Sequence, residues 1–90
     1  MTQPPYIDYG KVKLVNQANA DVYISFQCIT PEGIESITET PVSGPKTISV
    51  AAGHCYYVAW VGGRQFTGDF HLGKGEEMTF TFKKDKIIIH

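Results

Sequence analysis

Two histidines and an aspartate, His54, His71 and Asp69, are the residues whose types could do metal chemistry. If 54 and 71 face each other across a hairpin, their Cβ atoms are roughly 5 Å apart, a spacing at which two imidazoles can chelate zinc or copper with Asp69 as a diagonal third ligand. Zinc ordinarily takes three or four protein ligands with supporting hydrogen bonds behind them, so hydrogen-bonded or solvated histidines are the competing reading, and no metal or cofactor is expected. Cys28 and Cys55 are the only thiols. They lack metal-finger spacing and have no basic neighbour in the core to lower a thiolate pKa. Both read as inward-facing, and the commoner state of such a pair is two buried free thiols, each a small hydrophobe. A bond linking two sheets would need Cα atoms roughly 4.4 to 6.8 Å apart.

A second constellation is aromatic. Tyr56, Val58 and Trp60 alternate along one segment, with Gln65, Thr67 and Asp69 on the next. Flat rings beside amide, hydroxyl and carboxylate groups can anchor a protein interface, where Trp and Tyr commonly dominate the binding energy. The same groups can stack on sugar rings and hydrogen-bond their hydroxyls. The plain alternative is that another segment covers them, such as the arm at residues 1–10 with its Tyr6, Ile7 and Tyr9.

Enzyme signatures are missing. There is no Gly-x-Ser-x-Gly elbow and no His-Glu-x-x-His helix, and Gly73-Lys74-Gly75 lacks the spacing and following helix of a phosphate loop. The cluster Lys83, Lys84 and Lys86 around Asp85 reads as a solvated turn. No catalytic residue is assigned.

The elements that must position these groups are strands. Apolar residues recur with period two between Gly, Pro and Asn signals. Val12 and Leu14 alternate with Lys11 and Lys13, and Val22, Ile24, Phe26 and Cys28 alternate with Tyr23, Ser25 and Gln27. Thr30-Pro31-Glu32-Gly33 is a turn into residues 34–40. Pro41 to Pro45 reads as a loop, because proline on both sides rules out a central strand. Strands at 46–50, 54–61, 64–72, 76–83 and 86–89 follow. Spacing of this kind predicts an all-β fold, a small two-sheet antiparallel sandwich of seven or eight strands, immunoglobulin-like or transthyretin-like. The division expected is an amino-terminal arm at 1–10 and one domain over 11–90.

The turn at Gly62-Gly63 sets a register. Gly-Gly suits a two-residue primed turn, so Val61 opposes Arg64, Trp60 opposes Gln65, Tyr56 opposes Asp69 and His54 opposes His71. Phe66, Phe70 and Leu72 are core candidates, which sends Cys55, Tyr57 and Ala59 inward with them, Tyr57 over the bare Gly68. The outer face is then His54, Tyr56, Val58 and Trp60 against Gln65, Thr67, Asp69 and His71.

The run Ala52-Gly53-His54-Cys55-Tyr56-Tyr57-Val58-Ala59-Trp60, followed by Gly68-Asp69-Phe70-His71-Leu72 and Met78-Thr79-Phe80-Thr81-Phe82, resembles a pattern of small bacterial immunoglobulin-like and transthyretin-like (prealbumin-like) sandwich modules. The resemblance covers roughly the carboxy-terminal 45 residues. It implies an interaction or accessory role and no catalytic residues.

Composition narrows the partners. Nine acidic and eight basic residues give a net charge of −1, which supplies no field for nucleic acid or an anionic membrane. No run of about 18 apolar residues occurs, so no membrane insertion is expected, and without a signal-peptide pattern the cytoplasm is weakly favoured. Ile87-Ile88-Ile89 cannot turn all three side chains to one core. An edge strand apolar on both faces calls for a partner, either the amino-terminal segment or a second copy in a homodimer. The reading as a whole is a non-enzymatic module that works through protein contacts, with a carbohydrate-binding module and a metal-binding domain as alternatives.

Overall fold

A computed structural model describes residues 7–90. Among them eight strands alternate with short turns: β1 (Tyr9–Asn16), β2 (Val22–Ile29), β3 (Glu35–Pro41), β4 (Lys46–Ala51), β5 (Gly53–Val61), β6 (Arg64–Leu72), β7 (Glu77–Phe82) and β8 (Ile87–Ile89). They form two four-stranded sheets, β4-β1-β7-β8 and β3-β2-β5-β6, packed as a sandwich. Three hairpins, β2-β3, β5-β6 and β7-β8, stay within a sheet, and the other connections cross between sheets. All pairs are antiparallel except β1 with β7, which run parallel.

Each sheet buries one face, as the alternation dictates. Val12 and Leu14 from β1, Ile24 and Phe26 from β2, and Phe80 and Phe82 from β7 are fully buried between the sheets. Aromatic rings lock the layers together. Phe80 meets Phe26 at 5.4 Å and Phe70 at 5.2 Å between centroids, both close to edge-on, the arrangement that the ring quadrupoles favour. Phe66 and Phe70 point inward but are only half-buried, because β6 is an edge strand with a neighbour on one side.

Several expectations are corrected. Tyr9 and Gly10 pair with Ala51 and Val50 of β4. Ile7 packs against the core and Tyr9 lies on the outer side of the first sheet, so neither covers the aromatic face; Tyr6 lies outside the described residues. β8 pairs with β7 and not with the amino-terminal segment, because β7 stands between β8 and β1. Ile87 and Ile89 then reach the core while Ile88 faces out. Val42, in the segment read as loop, is buried, and its N–H donates to the Val22 carbonyl at 2.8 Å.

The cysteines differ most from expectation. They are bonded to each other, and the bond lies within one sheet. β2 and β5 are neighbours, and their register sets Cys28 directly opposite Cys55 with Cα atoms 4.0 Å apart. Two inward residues in one row of adjacent strands meet side by side and never span the gap between sheets.

Candidate functional site

The β5-β6 hairpin has the register that its turn demands. Gly62 and Gly63 take φ of 57° and 85°, the left-handed pair that a primed turn needs. All nine cross-strand pairs follow, from Val61 with Arg64 to Gly53 with Leu72. Tyr56, Val58, Trp60, Gln65, Thr67 and Asp69 therefore share the outer face of the second sheet. Tyr56 and Trp60 are exposed and Val58 is half-buried between them.

The sheet extends that face beyond the hairpin. On the far side of β5 lies β2, which sets Tyr23 beside Trp60, Ser25 beside Val58, Gln27 beside Tyr56 and Ile29 beside His54. Beyond it, β3 adds Pro41, Glu39, Ile37 and Glu35 in the same rows. Of seven exposed large apolar residues among those described, five (Tyr23, Ile29, Ile37, Tyr56 and Trp60) stand on this one surface, Ile37 at 60% exposure. The other sheet turns Lys11, Lys13, Thr47, Ser49, Thr79 and Thr81 outward, an ordinary solvated face. Sequence alternation already marked Tyr23 as outward. What it lacked was the neighbour relation of β2 to β5, which joins Tyr23, Ile29 and Ile37 to the hairpin aromatics.

One end of the face deepens into a cleft of about 480 Å³, lined by Asn16, Asp21, Tyr23, Pro41, Ser43 and Trp60 among others. Tyr23 and Trp60 form its aromatic side, with ring centroids 5.9 Å apart and planes at 49°. Asn16 also lines it. The Asn16 amide nitrogen donates to the carbonyls of Ala20 at 3.0 Å and Val42 at 2.9 Å, and its oxygen accepts from the Ala18 N–H at 3.0 Å. That last contact is an Asx turn, the local signal an Asn-x-x pattern can carry. The two loops bordering the cleft are thus tied by one side chain.

At the other end His54 lies against Tyr56, with centroids 4.8 Å apart, and its Nε2–H donates to Asp69 Oδ2 at 2.9 Å. His71 is opposite His54 as the register requires. Among the described residues no group of three or more His, Cys, Asp and Glu is arranged to hold a metal ion, so the metal reading has no ligand set there. Tyr23 donates to Glu39 at 3.4 Å. Partial burial, and then the Glu39 carboxylate, raise its phenol pKa above the usual value.

No family model matches the chain, and no curated protein or solved structure matches it.

Proposed function

We propose that the chain is a non-enzymatic β-sandwich module that docks a protein partner on the outer face of the β3-β2-β5-β6 sheet. The observation that carries this reading is the one-sided distribution of exposed apolar residues, five of seven on a single surface. Two of them, Tyr56 and Trp60, are of the types that anchor interfaces. Four strands at about 4.8 Å and four rows at about 6.8 Å make the face roughly 20 Å each way. That area, roughly 400 Å², suits a peptide or one small domain better than a partner needing the standard interface of about 800 Å² a side. A non-enzymatic role fits the His54–Asp69 pair, which sits open to solvent and, among the described residues, has no nucleophile hydrogen-bonded to the imidazole.

The transthyretin-like form of the sandwich is favoured over the antibody form. In antibody-type domains the first two strands share a sheet, whereas β1 and β2 here lie in opposite sheets. A saccharide is the second reading, because Trp60 and Tyr23 open onto a cleft with polar groups on its rim.

Site-specific photo-crosslinking in the native host tests the docking reading. A crosslinking residue replaces Thr67 on the proposed face, or Thr47 on the opposite face as control. Adducts are expected from position 67, suppressed by Trp60→Ala or Tyr56→Ala, and not from position 47. Equal yields from both faces would overturn it.

A further inference from the structure

The docking face has one sign of fixed charge. Glu35, Glu39 and Asp69 stand on it, and none of its positions on β3, β2, β5 or β6 is Lys or Arg. The outward lysines of the strands, Lys11 and Lys13, are on the opposite sheet. Asp69 is engaged by His54, and Glu39 takes only the long bond from Tyr23. The exposed Asp21, which directly precedes β2, lines the same cleft as Tyr23 and Trp60. Lys46, near the β3 end, spends its ammonium on Thr40 Oγ1 at 2.8 Å and the Pro41 carbonyl at 3.4 Å.

We infer that the partner presents an arginine to this cleft, its guanidinium stacked on Tyr23 and Trp60 and hydrogen-bonded to Asp21. This rests on the docking reading and adds the chemistry of the partner. Aromatic faces attract a cation through their quadrupole, most strongly Trp. A nearby carboxylate adds a charge-assisted bond that a planar guanidinium can make in bidentate form. Lysine meets these conditions less well, because its ammonium is compact and strongly hydrated and cannot stack. The two rings pack against each other at 5.9 Å and 49° and each stays partly exposed, and the cleft that they line is roomy enough for a whole arginine side chain.

The test is a titration of the isotopically labelled full chain, read at the Trp60 indole N–H and the amides of residues 21–23. The probes are N-acetyl-arginine amide, its uncharged isostere N-acetyl-citrulline amide, N-acetyl-lysine amide and a methyl glucoside. Saturable shifts with the arginine amide are expected, with citrulline about tenfold weaker and lysine also weaker. Asp21→Asn should weaken the arginine response about tenfold while leaving the spectrum folded. Equal responses to arginine and citrulline, or to arginine and lysine, would overturn the inference. So would indifference to Asp21→Asn, or a response to the glucoside alone. Crosslinks at position 67 that persist while the arginine amide is silent would remove the cation and keep the docking face. Loss of both would remove both.

Discussion

Tyr57 lies across Gly68, its cross-strand partner, so closely that a Cβ added at Gly68 would fall 2.6 Å from Tyr57 Oη and 2.7 Å from Cε1. Phe80, which the ring meets edge-on at 5.4 Å, restricts its freedom to swing aside. Gly68→Ala should therefore cost about 1–3 kcal/mol by overpacking. In a Tyr57→Leu background the same change should cost under about 1 kcal/mol, since the obstructing ring is gone. A double-mutant cycle from urea unfolding reads the difference, and equal costs in both backgrounds would refute the packing account.

Phe80 is the hub of the aromatic core, within 5.2–5.4 Å of Phe26, Tyr57 and Phe70. Phe80→Ala should destabilise by about 3–5 kcal/mol, which approaches the whole stability of many small domains. Phe80→Leu keeps most of the volume and should stay folded with a lower urea midpoint. Trp60→Ala, at the surface, should shift that midpoint far less.

Reduction of the Cys28–Cys55 bond should lower stability by about 3.5 kcal/mol in the chain-entropy model, given 27 residues of separation. Urea midpoints with and without reductant measure it. A Cys28→Ala, Cys55→Ala double variant should respond to reductant not at all.

Alkaline pH should destabilise the fold chiefly through the Tyr57 phenol. Burial, and then Asp69, raise the pKa of Tyr57, and that of Tyr23 is raised as well. A folded-state pKa above the unfolded one favours the protonated native state, so this stabilisation is complete below about pH 10 and fades as pH rises through the folded values. Melting temperature should fall above about pH 10, less steeply in Tyr57→Phe than in wild type. Tyr23→Phe should change the slope little, because exposure screens its contribution. A melting temperature that falls as steeply in Tyr57→Phe as in wild type would contradict this.

His54 and Asp69 form an exposed pair, and such pairs contribute at most about 1 kcal/mol. His54→Ala should therefore leave the melting temperature nearly unchanged. Zinc should not raise it in wild type, because among the described residues no three His, Cys, Asp or Glu side chains are arranged to hold a metal ion.

The readable part of this protein was local. Two glycines in sequence force a primed turn, the turn forces a register, and period-two alternation assigns each side chain a face. Tyr57 over Gly68 and the outward row from Tyr56 to Asp69 followed from those rules alone. The unread part depended on which strands become neighbours. Alternation sends both Cys28 and Cys55 inward, yet only the β2–β5 pairing brings them into one row. The same pairing joins Tyr23 to Trp60 and carries the apolar surface out to Ile37. Phe66 and Phe70 looked like full core residues because burial at a sheet edge is invisible in a pattern of alternation.

The parallel pairing of β1 with β7 has a consequence for synthesis on the ribosome. β1 is made first and can meet β4 once residues 46–51 have emerged, but its other edge waits for residues 77–82. During that interval a strand carrying Val12 and Leu14 is only half covered. Folding that depends on so distant a partner belongs to the slow, millisecond-to-second class of all-β domains. Until β7 pairs with it, that edge of β1 is open to unwanted association.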